Sequence, residues 1–164
     1  LKETDRMVKE TAAQMKETDR KLGKLGGRFG ELIEHLVAPN LLDKFNSLGF
    51  NFGRAGPNVV FRNPKGIFIA EVDILLENGD TALAVEVKAK LTIPEVREHL
   101  ERMEKLRRYA DEHGDKRQFI GAVAGAIISE GAKPFAIKHG FYVVQQTGDT
   151  VKIDVPEGFV PKRW

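Results

Sequence analysis

Four ionisable residues stand inside two apolar runs joined by a short polar turn. The first run reads Ala70-Glu71-Val72-Asp73-Ile74-Leu75-Leu76, the turn is Asn78-Gly79-Asp80, and the second run is Ala82-Leu83-Ala84-Val85-Glu86-Val87-Lys88. Apolar runs flanking such a turn read as a β-hairpin. Residues two apart in a strand share a face, so Glu71 and Asp73 are expected to project together, as are Glu86 and Lys88. With Gly79-Asp80 as a two-residue loop, Asn78 faces Thr81, Asp73 lies opposite Glu86, and Glu71 lies opposite Lys88. Cross-strand neighbours have Cβ atoms about 4.5–5.5 Å apart. Carboxylates meeting inside apolar strands are costly unless compensated, and a divalent cation compensates them. Oxygen donors without cysteine or histidine favour Mg²⁺ or Mn²⁺ over zinc. Such a cation acidifies a bound water and holds a phosphoryl oxygen, while a lysine stabilises developing negative charge. That is phosphodiester chemistry. The plainer alternative pairs Glu71 with Lys88 and uses Asp73 to cap a loop. Two acids at matched positions of one hairpin favour the site.

The elements that must position these residues follow from periodicity and punctuation. Arg28 to Leu48 carries apolar residues at helical spacing, bent or broken at Pro39 and stopped at Gly49. Asn58 to Arg62 is a short strand, and Ile67–Glu77 and Thr81–Lys90 are the hairpin strands. Pro94 opens a charged helix to about His113, with Val96, Leu100, Met103, Leu106 and Ala110 inward. Phe119 to Ile128 is a nearly continuous apolar run of small residues, suited to a buried central strand. Ser129 is the expected cap of a short helix ending near Gly140, and Tyr142–Gln146 and Val151–Val155 are the last strands. The expected fold is α/β with a mixed sheet.

A seven-residue repeat marks the front of the chain. Lys-Glu-Thr recurs at positions 2, 9 and 16. Leu1, Val8, Met15, Leu22 and Phe29 keep one heptad position, and Thr4, Thr11, Thr18 and Leu25 another, the seam of a coiled coil. Residues 1–27 are thus expected to join copies of the chain, residues 28–156 to form the domain, and 157–164 to be a tail.

The chain has 164 residues, 41% hydrophobic and 30% charged, with 26 Lys and Arg against 24 Asp and Glu. A net charge of +2 argues against a strongly basic wrap-around nucleic-acid binder and leaves room for a local basic groove. There is no cysteine, which removes disulfides, thiolate zinc sites and cysteine nucleophiles. No apolar stretch is long enough for a membrane span, and a cytoplasmic location is expected. His35, His99, His113 and His139 lack metal-ligand spacing. Arg97, Arg102, Lys105, Arg107 and Arg108 offer a basic strip for a DNA backbone, though interleaved glutamates also suit a solvated helix laced with ion pairs. The tail residues Pro161-Lys162-Arg163-Trp164 offer stacking and charge to a nucleic acid.

The chain resembles the PD-(D/E)xK nuclease superfamily. The matching residues are Asp73 and Glu86-Val87-Lys88, with the order helix, three strands, helix, strand from about Gly30 to Val144. The resemblance implies a restriction-endonuclease-like αβββαβ core, here preceded by a coiled-coil helix. It implies metal ligation by Asp73 and Glu86, with Val87 lending its backbone carbonyl, and a Lys88 that positions the attacking water or the scissile phosphate. A further glutamate on the first helix is often present, and Glu34 is the choice, with Glu31 as fallback. Lys90, His99 and Arg102 are the expected substrate-binding residues. One departure is visible: Val72, not proline, precedes the aspartate. The repeat ahead of such a domain also resembles a group of uncharacterised prokaryotic proteins. The implied activity is Mg²⁺- or Mn²⁺-dependent hydrolysis of DNA by a homo-oligomer, a dimer. The alternative is a non-catalytic nuclease-fold module for DNA binding or assembly.

Overall fold

The computed structural model describes residues 39–164. The heptad seam through Leu1, Val8, Met15, Leu22, Leu25 and Phe29, and the glutamates Glu34 and Glu31, lie outside the described residues. In chain order the elements are α1 (Pro39–Asn46), β1 (Arg54–Arg62), β2 (Phe68–Glu77), β3 (Thr81–Leu91), α2 (Ile93–Glu112), β4 (Gln118–Ile128), α3 (Ala132–Lys138), β5 (Tyr142–Thr147) and β6 (Thr150–Asp154). From α1 to β4 this is the expected helix, three strands, helix, strand.

The six strands form one mixed sheet in sequential order β1-β2-β3-β4-β5-β6. The pairs β1–β2, β2–β3 and β5–β6 are antiparallel, and β3–β4 and β4–β5 are parallel. Parallel neighbours need a crossover, which α2 and α3 supply. The sheet is covered on both sides. Leu41 and Phe45 of α1, with Phe52, pack on Ile74, Leu76, Leu83, Val85, Ile120 and Ala122. On the other side Val96, Met103, Leu106 and Ala110 of α2 pack on Leu75, Ala82, Ala84, Phe119 and Val123. β4 is buried along most of its length, as its small apolar residues require.

Several local expectations change. β1 starts at Arg54 because an edge strand tolerates Gly56 and Pro57. The short helix is entered from Gly131 at φ +87°, while Ser129 instead offers its carbonyl to the Ala132 N–H at 3.1 Å. The tail from Pro161 is built into the fold. Trp164 exchanges two main-chain hydrogen bonds with Phe119 at 2.8 and 3.2 Å, and its ring stacks on Phe141. Its indole N–H donates to Glu104, so the ring is committed to the protein. No helix among the described residues is long and apolar enough to cross a membrane.

Candidate active site

The hairpin register is the one expected. Asn78 N–H donates to the Thr81 carbonyl at 3.0 Å, and the pairs run Glu77↔Ala82, Leu76↔Leu83, Leu75↔Ala84 and Ile74↔Val85. There the β2–β3 ladder ends, although β1 still pairs with β2 as far as Arg62↔Phe68 and β3 with β4 as far as Leu91↔Ile128. A gap therefore opens between the second and third strands, one step past Ile74 and Val85. The next opposed residues are Asp73 and Glu86.

Strand alternation also breaks at Asp73. Val72 and Ile74 are two apart and should share a face, yet Ile74 joins the α1 side of the core and Val72 the α2 side. In β1 Ala55 and Val59 divide in the same way, and between them Asn58 adopts φ +51°. Asn58 is bracketed by the pairs Pro57↔Ile74 and Val59↔Val72, so the irregularity sits directly beside Asp73. Asparagine tolerates this backbone region better than most residues. Its effect is to turn the two strands over at one step. Asp73 then reaches into the gap, where its Oδ2 accepts the Val87 N–H at 2.8 Å. In a continued antiparallel ladder that N–H would go to the Val72 carbonyl. The Val87 carbonyl is directed to the same side of β3 by the same alternation. Glu71, expected beside Asp73 and opposite Lys88, pairs in register with Val60 of β1 and lies three residues past the end of the β2–β3 ladder, so no ladder pairing sets it against Lys88.

Glu86 projects toward α2 and is 6% exposed. Arg102 of α2 holds its Oε2 at 2.7 Å, and Lys88 Nζ stands 3.8 Å from its Oε1. Burial, and then the Asp73 charge, push the Glu86 carboxyl up to about 8; Arg102 and Lys88 oppose the rise. The lysine side chain is 38% exposed, on the open side of the pair.

Of the expected substrate-binding residues, Lys90 is exposed on β3, whereas Arg102 is mostly buried against Glu86. His99 is fully buried, which removes it from any surface that substrate reaches. Its Nε2 lies 3.0 Å from the Ala84 carbonyl and its Nδ1 2.8 Å from Arg102 Nη1. A carbonyl only accepts and a guanidinium only donates, so the ring is neutral with its proton on Nε2. Burial and Arg102 lower its pKa to about 3, in keeping with that state. Leu100, expected inward, is partly buried against the same core; the sequence also admits His99 as a packing histidine, and what it does not show is the bond to Arg102. The buried stripe steps through Val96, His99, Met103, Leu106 and Ala110, a 3-4-3-4 spacing that was visible.

α2 begins close to the site. Glu95 reaches back to accept the Thr92 N–H at 2.8 Å and also meets the Thr92 hydroxyl, a capping-box arrangement. Burial raises the Glu95 carboxyl, but its hydrogen bonds with Thr92, and last the Lys88 charge, hold it below its ordinary value.

The donors at the gap are two carboxylates and a main-chain carbonyl, all hard oxygens. Oxygen donors of this kind are the class that hard divalent cations take. Among the described residues no cluster of three or more His, Cys, Asp or Glu side chains is placed to hold a metal, and Glu34 lies outside them.

No protein-family model matches the chain, and no curated protein matches it by sequence. Among solved structures it is similar to a protein of unknown function, AF1548, at 18% identity and a TM-score of 0.49, covering 79% of this chain and 62% of that one. It is similar to EndoMS, solved in complex with double-stranded DNA, at 20% identity and a TM-score of 0.38, covering 64% of this chain and 44% of that one. A third is the small subunit of the heterodimeric restriction endonuclease R.BspD6I, at 22% identity and a TM-score of 0.29, covering 73% and 69%. The chain spans about three-fifths of the length of the first of these.

Proposed function

We propose that this chain is a metal-dependent nuclease of the PD-(D/E)xK type, with DNA as substrate and Asp73, Glu86 and the Val87 carbonyl as the holders of Mg²⁺ or Mn²⁺. The observation that carries the reading is the break between β2 and β3, where a buried acid and a half-buried acid meet beside a lysine. When bound, the cation supplies Lewis acidity toward water and phosphate.

The chain's own residues do the rest. Asp73 is fixed by the Val87 N–H and needs little reorganisation to act as a ligand. Glu86 is held in a water-poor wall, where its charge acts through a lower dielectric than bulk solvent. Lys88 extends its ammonium on the open side, suited to a non-bridging phosphate oxygen or to orienting the incoming water. Lys90 adds positive charge for the DNA backbone two residues on. Glu34 is the candidate for a further carboxylate, and the seam from Leu1 to Phe29 joins two copies.

A second reading is a non-catalytic nuclease-fold module. The observation that favours it is the Arg102–Glu86 ion pair at 2.7 Å, which gives the buried acid a cationic partner without metal.

The test is DNA cleavage with Mg²⁺, Mn²⁺ or EDTA by the wild type and by Asp73→Ala. The expected result is metal-dependent cleavage that the variant loses while its oligomeric state is unchanged. A variant that loses its oligomers or its fold would mark Asp73 as structural.

A further inference from the structure

We infer that Arg102 is a positioning residue for the metal site, holding one oxygen of Glu86 from its buried side and leaving the other on the side of Lys88. This rests on the metal-site reading above and adds a residue to it.

The two oxygens of Glu86 have separate surroundings. Oε2 takes the Arg102 guanidinium at 2.7 Å, and Oε1 stands 3.8 Å from Lys88 on the open side. Arg102 is itself held. Its Nη1 donates to His99 Nδ1 at 2.8 Å, and His99 Nε2–H donates to the Ala84 carbonyl at 3.0 Å, two residues before Glu86 on the same strand. The chain from the Ala84 main chain through His99 and Arg102 to Glu86 therefore begins and ends on β3. It fixes the carboxylate against the strand that carries it, independently of any ligand on the other oxygen. His99 packs on Phe141 and has no solvent exposure, so the anchor is rigid. Partners of this kind orient a metal-binding side chain, and their loss costs about 10–100-fold in metal affinity.

The experiment is Mn²⁺ binding by calorimetry, with electron paramagnetic resonance of the free ion as a second readout, on folded full-length protein without DNA. Wild type, Asp73→Asn, Arg102→Gln, Arg102→Lys and His99→Phe are compared, and folding of each is checked by circular dichroism. The expected result is binding by the wild type, none by Asp73→Asn, and about 10–100-fold weaker binding by Arg102→Gln. Arg102→Lys, which restores a cation without the planar fork, should recover part of the loss and serves where the glutamine variant does not fold. His99→Phe should weaken binding in the same direction by a smaller factor. Wild-type affinity in Arg102→Gln overturns the inference and leaves the metal site standing. Tighter binding there also overturns it and makes Arg102 a competitor of the metal. No binding by the wild type removes both.

Discussion

Asp73 and Glu86 are held closer than two acids would choose. Asp73→Asn keeps an oxygen for the Val87 N–H and removes one charge, so the metal-free variant should be as stable as the wild type or gain about 1 kcal/mol, a common trade between stability and function. A loss beyond about 2 kcal/mol would mean that the Asp73 charge serves the fold. The pH dependence separates the two buried groups. Glu86 is raised from 4.5 to about 8, so its contribution to stability is full below pH 4.5 and is lost as pH rises toward 8. His99 is lowered from 6.5 to about 3, so its contribution is present above pH 6.5 and is lost as pH falls toward 3. The two oppose each other between 4.5 and 6.5, and above that window Glu86 dominates the pair. Urea denaturation of metal-free protein should therefore show stability falling from pH 6.5 to 8, with a flatter slope in Asp73→Asn. An identical slope would show that Asp73 is not what raises Glu86. Asp73 opposite Glu86 was legible because one turn sets the register of the whole hairpin. Arg102 on Glu86 was not, because the rotation of a helix against a strand is a property of packing and leaves no local pattern.

The hairpin turn illustrates how a sound inference can rest on the wrong device. Asn-Gly commonly signals a turn that needs positive φ at both central residues. Here Gly79 has no positive φ, and the turn is closed by the Asn78 side chain, whose Oδ1 accepts the N–H groups of Asp80 and Thr81 at 2.8 Å each. Gly79→Ala should then be neutral or stabilising by about 0.4–1 kcal/mol, since its Cβ meets nothing within 4 Å. Gly121 is the opposite case. A Cβ there would run into the Phe141 ring, at the packing of β4 beneath α2. Gly121→Ala should cost about 1–3 kcal/mol in chemical denaturation. A larger cost at Gly79 than at Gly121 would contradict both assignments. The break at Asn58 and Asp73 is what sequence alternation could not supply: Val59, Val72 and Ile74 read as an unbroken pattern, and the turnover is visible only in which layer each one joins.

At the scale of the whole described domain, the mixed sheet is closed by the segment that ends at Trp164. Trp164 covers Phe141, the ring that also meets buried His99, and Arg107 donates to the main-chain oxygens of Trp164, Arg117 and Asp115. Trp164→Ala should therefore destabilise the fold by about 1–3 kcal/mol and leave the DNA affinity of the folded protein unchanged. Weaker DNA binding at unaltered stability would return the tail to the nucleic-acid interface that its composition suggested. A charged, aromatic ending reads alike in either role, which is why the sequence does not separate them. Linear, supercoiled, single-stranded and four-way-junction DNA should be incubated with the full chain in Mg²⁺, Mn²⁺ or EDTA, beside Lys88→Ala from the same preparation. Cleavage that requires the metal and falls by at least about a hundredfold in Lys88→Ala is the expected outcome. A folded wild type that binds Mn²⁺ and cuts none of these substrates, or a Lys88→Ala that cuts as fast as the wild type, would contradict a hydrolytic role for the hairpin site.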